Sequence, residues 1–161
     1  APTGGNLQPT HFMVITNPDV LKELVTLVQE EYGKTEVTEQ TPPYMVNIIK
    51  MSKEGKFVFQ YNAPVLIVLA HKPVLANNFS DTACAMENMM LVCNELDLGS
   101  CWVNQLRHLQ DNERIIKRLR ELGMGEDEKV YASLAIGYPD LPNGLNRREL
   151  DIKGNPVTYI D

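Results

Sequence analysis

Positive charge is scarce in this chain of 161 residues: 15 Lys and Arg stand against 21 Asp and Glu, a net charge of −6. So acidic a surface repels phosphate backbones, which disfavours nucleic-acid binding. Long apolar runs are also missing. The longest, Ala63 to Ala70, contains Pro64 and falls far short of the roughly 20 residues a membrane span requires. No signal-peptide pattern opens the sequence. Cysteine is limited to Cys84, Cys93 and Cys101, an odd number on apolar segments. If Cys84 and Cys93 share a helix, they face opposite ways and cannot pair. Cys-x-x-Cys and His-x-x-x-His spacings do not occur, which leaves a zinc site without support. Three buried free thiols, a reducing compartment and a soluble cytoplasmic protein are the expectation. Hydrophobic residues at 43% and charged residues at 22% are ordinary globular usage, and the length suits one domain over 1–161.

Standard catalytic signatures are missing too. The chain has no Walker A, Gly-x-Ser-x-Gly or His-Glu-x-x-His pattern. Gly123-Met124-Gly125 lacks the third glycine of a dinucleotide loop, and Glu126-Asp127-Glu128 would repel a pyrophosphate; it reads as a helix stop and acidic turn. His11, His71 and His108 are scattered and read as strand, loop or surface residues. No side chain stands out as catalytic, and none as a metal ligand.

What is present is an alternation of elements. His11 to Thr16 is rich in β-formers and predicts a strand. Asn17-Pro18-Asp19 opens an amphipathic helix over 18–32, ended by Gly33. A polar loop to Pro43 and a short helix over 44–53 follow. Val65 to Ala70 does not alternate, so it predicts a strand covered on both faces. Ser80-Asp81 is expected to cap a helix running to Leu98, apolar nearly all round, with Gly99 as its stop. Such a helix belongs in a core or a subunit interface. Ser100 to Val103 predicts a strand, Asp111-Asn112 opens a second amphipathic helix, and Val130 to Gly137 is another strand. Beyond Tyr138 an extended tail is expected, with a last β-like piece at Val157 to Ile160. This order describes a layered α/β or α+β domain.

The opening Ala1-Pro2-Thr3-Gly4-Gly5-Asn6-Leu7-Gln8-Pro9-Thr10-His11-Phe12 holds glycines that permit close backbone approach, beside hydroxyl and amide side chains. Such groups suit the edge of a planar heteroaromatic ring. The stretch closely resembles the Ala-Pro-Ser-Gly-x-Asn-x-Gln-Pro-Trp-x-Phe motif of the nitroreductase family of flavin enzymes. The resemblance continues through Tyr61-Asn62-Ala63-Pro64-Val65, Glu87-Asn88-Met89-Met90-Leu91, Leu98-Gly99-Ser100-Cys101-Trp102-Val103 and Ala135-Ile136-Gly137-Tyr138-Pro139. Thr3 replaces the usual Ser conservatively; Thr10 replaces the usual Trp with a smaller side chain.

The resemblance implies an α+β sandwich, a mostly antiparallel central sheet flanked by helices, in an intertwined homodimer with FMN at the interface. It implies that Pro2, Thr3, Gly4, Asn6 and Gln8 belong to the cofactor site, reaching the FMN of the partner subunit. Trp102, Val103 and Asn104 would lie near the isoalloxazine, mainly through backbone groups. Arg147 and Arg148 would hold the phosphate, as guanidinium forks suit phosphate oxygens. It further implies an upstream Arg-x-Ser-x-Arg-like segment that also grips the phosphate; the sequence begins after that point, so upstream residues are expected. The implied activity is hydride transfer from NADH or NADPH to a nitroaromatic, quinone or related acceptor by a ping-pong mechanism. A flavin-binding store or sensor of the same fold, without turnover, is the alternative.

Overall fold

The Asn17 side chain accepts the backbone N–H groups of Asp19 and Val20 at 2.9 and 3.2 Å, so Asn-Pro-Asp opens helix α1 (Pro18–Gly33) as its chemistry predicts. This computed structural model describes residues 1–73, 77–141 and 154–160. A 3-10 turn (Gly4–Asn6) precedes strand β1 (His11–Ile15). After α1 come α2 (Pro43–Lys53), β2 (Val65–His71), α3 (Asn78–Glu95), β3 (Gly99–Val103), a single helical turn α4 (Gln105–His108), α5 (Glu113–Glu121) and β4 (Lys129–Gly137). The strands form one antiparallel sheet in the order β1-β2-β4-β3.

Period-two alternation sends each strand's residues to two cores. Leu66, Val68 and Ala70 of β2, with Val103 and Ala135, meet Leu21, Leu24 and Val28 of α1 and Ile115 and Leu119 of α5. Leu69, Ala132 and Leu134 face the other way, onto Ala85 and Met86 of α3. β2 is therefore covered on both faces, which is why its sequence does not alternate. Each such side chain removed from water contributes about 1.5–3 kcal/mol to the core. β1 differs. Met13 and Ile15 are buried under α1, while Phe12 and Val14 alternate to the opposite face and stay exposed.

Four expectations need correction. Ser80-Asp81 does not cap α3: the helix starts earlier, at Asn78, and Asp81 sits in its first turn, buried. Gly99 does not stop it either. Asp97 takes the left-handed position (φ +56), with Leu98 N–H donating to the Cys93 carbonyl at 2.8 Å and Asp97 N–H to that of Asn94 at 3.3 Å, the Schellman arrangement. Gly99 is thereby free to begin β3. Val157–Ile160 is an exposed stretch outside any strand, and among the described residues no strand pairs with it. The cysteines are all free, as expected, but only Cys93 is buried; Cys84 and Cys101 are half-buried. Among the described residues, no helix is long and apolar enough to cross a membrane, and no His, Cys, Asp and Glu cluster could hold a metal ion.

Candidate functional site

Two groups of residues carry the site expectations. The first is the loop ahead of β1. Gly5, Asn6 and Gln8 all adopt positive φ (58, 54 and 50), a conformation that L side chains avoid. Local hydrogen bonds hold it: Asn6 N–H donates to the Thr3 carbonyl at 2.9 Å, Gln8 N–H to the Thr3 hydroxyl at 3.1 Å, and the Gln8 amide to Asn6 Oδ1 at 3.2 Å. Thr3, Asn6 and Gln8 thus form one small polar unit. Pro2 lies exposed just ahead of it. Gly4 touches the body of the protein: a Cβ on it would lie 2.6 Å from Asn77 Nδ2 and 3.3 Å from Asn77 Cβ. A larger residue there would have to displace the Asn77 side chain.

The second group is the junction between β3 and α4. Val103 packs its side chain into the α1–α5 core at 3% exposure, leaving only its backbone for any other role. Trp102 points to the opposite face, over the α3 core, and its indole N–H donates to Asn104 Oδ1 at 2.9 Å. Asn104 in turn starts α4 without a side-chain cap, so the first N–H groups of that turn are left without an intrahelical partner. Gln105 Oε1 beside them is buried and unpartnered.

Within one chain these groups do not meet. β1 and β3 are opposite edges of the sheet, three strand spacings or about 14 Å apart. The start of α3 stands between them: Gly4 N–H donates to the carboxylate of Asp81 on one side, and Arg107 of α4 lies 4.7 Å over the ring of Phe79 on the other. Arg147 and Arg148 fall outside the described residues.

The cavities follow the same division. One of about 320 Å³ opens beside the N-terminal loop, against Thr3, Gln8, Thr10, Phe12 and Asp81; the short Thr10 leaves that side open. A larger one, about 570 Å³, lies at the far end of β3 and β4 against Gln60, Tyr61, Cys101 and Gly137. It contains none of the predicted site residues. Burial pushes up the Cys101 thiol there, and the Tyr61 phenol likewise, so neither is poised to lose a proton. His11 and His71 lie on neighbouring strands, His11 opposite Ala70, yet each has its own partner: His11 pairs with Glu128 at 2.8 Å, and His71 is fully buried with Nδ1 2.7 Å from the Lys72 carbonyl.

A model of the nitroreductase family matches residues 1–138. The chain belongs to the nitroreductase family. It is 29% identical over 146 residues to a protein of Archaeoglobus fulgidus named as a candidate NADH dehydrogenase/NAD(P)H nitroreductase, a match covering 86% of this chain. The chain spans 66% of that relative's length, just under two thirds. Among solved structures it is similar to a nitroreductase of Bacteroides fragilis with bound FMN: TM-score 0.85 and 28% identity, over 100% of this chain and 81% of that one. A Desulfitobacterium hafniense nitroreductase with bound FMN shares the fold at TM-score 0.75 and 17% identity, over 100% of this chain and 80% of that one.

Sequence reasoning missed three residues that the fold brings against these two groups: Asp81 and Asn77, which meet Gly4, and Arg107 of α4, which lies over Phe79. Asp81 looked like a helix cap because Ser-Asp before an apolar run is a common start signal. Its contact with Gly4 spans 77 positions, and nothing local announces it.

Proposed function

We propose that the chain is the flavin-binding core of an FMN-dependent oxidoreductase that acts as a homodimer. It takes a hydride from NADH or NADPH and delivers it to a nitroaromatic, quinone or related acceptor. The observation that carries this reading is the split site. The loop at Pro2–Gln8 and the junction at Trp102–Asn104 lie on opposite sides of α3, in a chain whose family match runs over both. A second copy would bring one chain's loop to the other's junction. The FMN bound in the structural relatives supports the cofactor, and the name of the Archaeoglobus relative supports a nicotinamide donor.

The residues fit FMN chemically. Uncharged amide and hydroxyl groups at Thr3, Asn6 and Gln8, with the open N–H groups at the start of α4, suit the alternating donors and acceptors of a flavin pyrimidine edge. Trp102, pinned by Asn104, supplies an apolar wall that excludes water. Arg147 and Arg148 would take the phosphate. When bound, FMN supplies the hydride-accepting and hydride-donating chemistry; the chain binds, orients and shields it. No side chain need act as nucleophile or obligatory base.

The test is a visible absorption spectrum of the FMN-loaded protein, recorded anaerobically before and after NADPH. Bleaching by the nucleotide, reversed by a nitroaromatic, is expected. A yellow protein that NADPH leaves unbleached would be a flavin store or sensor. One shared open face should also give parallel double-reciprocal lines; intersecting lines with both substrates bound together would overturn the ping-pong order.

A further inference from the structure

We propose that Asp81 is the positioning residue of the flavin-contacting loop. Its carboxylate, held in the first turn of α3, fixes where Thr3–Gln8 is presented. The inference rests on the reading above for the identity of the ligand, and on the following geometry for everything else.

Gly4 N–H lies 3.0 Å from Asp81 Oδ1 and 3.2 Å from Oδ2, so both oxygens share one donor. Among the described residues, it is the only hydrogen bond found between residues 1–10 and the rest of the fold; the others in that segment close within the loop. Those internal bonds set the shape of the loop but do not tie it to the fold. Most of it is exposed, and three of its residues sit at positive φ, two of them not glycine. Such a strained unit keeps its place only where the surrounding structure fixes it. Gly4 also lies against the Asn77 side chain at the start of α3.

Asp81 is a costly choice for a merely structural bond. It is 5% exposed, and none of the ion pairs among the described residues includes it. A buried carboxylate without a cation is expensive, even with the first-turn dipole of α3 in its favour. The charge-assisted bond to Gly4 is what it makes in return, and such bonds are the strong ones. A loop already held in its binding conformation spares the ligand the entropy of ordering it. Asp81 therefore acts on flavin through Gly4, without touching it.

The test uses Asp81→Ala, Asp81→Ser and Asp81→Asn. Ala and Ser remove the acceptor or shorten it out of reach; Asn keeps an acceptor oxygen in place. Flavin-fluorescence titrations of wild type with FMN and with riboflavin give the reference. Ala and Ser should weaken both flavins by the same factor, roughly tenfold, as expected for losing one charge-assisted bond that orders the loop. Asn should recover most of that. Hydrogen exchange on the flavin-free protein should quicken at Gly4–Gln8 in Ala and Ser and remain unchanged in β2 and β4. FMN binding equal to wild type in both variants, or unchanged loop exchange, overturns the proposal. A wild type that binds neither flavin defeats the functional reading instead, and this inference with it.

Discussion

Trp102 and Asn104 are joined across the end of β3 by a 2.9 Å hydrogen bond from the indole N–H to the side-chain oxygen. That bond sets the ring's orientation, and the Asn104 side chain makes no cap on α4, so the first N–H groups of the turn stay available. In Asn104→Ala the indole donor loses its partner at a cost of about 1 kcal/mol. The expected results are a red-shifted tryptophan emission and weaker FMN binding, with Asn104→Asp restoring the emission. An unchanged spectrum would mean that another acceptor takes the indole.

Arg147 and Arg148 are expected to recognise the FMN phosphate. Loss of one charge-assisted bond costs roughly 1.5–3 kcal/mol, on the order of a 10- to 150-fold weaker Kd. Arg147→Ala and Arg148→Ala should weaken FMN far more than riboflavin, which has no phosphate. This contrasts with the equal losses expected at Asp81. Equal losses at the arginines would place their action elsewhere.

Cys101 is a tempting nucleophile beside Trp102, but burial holds its thiol above the ordinary range and little thiolate forms at neutral pH. Cys101→Ala should keep turnover within an order of magnitude of wild type, with a lower thermal midpoint from the lost packing. A kcat reduced by several orders of magnitude with FMN still bound would contradict a mechanism without a protein nucleophile.

Glu128 ties the acidic turn to β1. Its Oε2 accepts from Gly125 N–H at 2.7 Å and pairs with His11 at 2.8 Å. Burial alone would raise its carboxyl, but the hydrogen bonds from His11 and Gly125 outweigh that and hold it below the usual 4.5. A depressed carboxyl stabilises the fold above its unfolded value and loses that contribution as pH falls through its folded value. The thermal midpoint should therefore drop as pH falls below about 4.5, and Glu128→Gln should flatten that drop while lowering the midpoint at neutral pH. Identical pH profiles for the two proteins would refute the assignment.

The homodimer has its own check. Leu91 and Leu96 of α3 and its C-cap are 58% and 61% exposed in one chain, on the side of the helix turned away from the sheet. A partner covering them as part of an interface of about 1,600 Å² would hide that surface and bring the two halves of the site together. Sedimentation should give twice the 18.2 kDa chain mass. Leu91→Glu should shift it toward the monomer and weaken FMN binding at the same time. A dimer lost with FMN affinity intact would show that the site lies within one chain.

Local chemistry made the elements legible. Asn17-Pro18-Asp19, Asn112 and Gly123 announced helix ends through hydrogen bonds and φ values that operate within a few residues. The unbroken apolar run at Val65–Ala70 announced a strand covered on both sides, because every residue there must leave water. The motifs at residues 1–12 and 98–103 likewise carried the family, since they are contiguous in the chain. Tertiary structure alone decided the rest. It decided that β1 and β3 stand at opposite edges, so that the two site groups cannot meet in one chain. It also turned Asp81 from an apparent helix cap into the anchor of Gly4, and left Phe12 and Val14 uncovered on β1. Each depends on which distant segments the packed core brings into contact, and a hydrogen bond across 77 positions leaves no periodicity or spacing at either end.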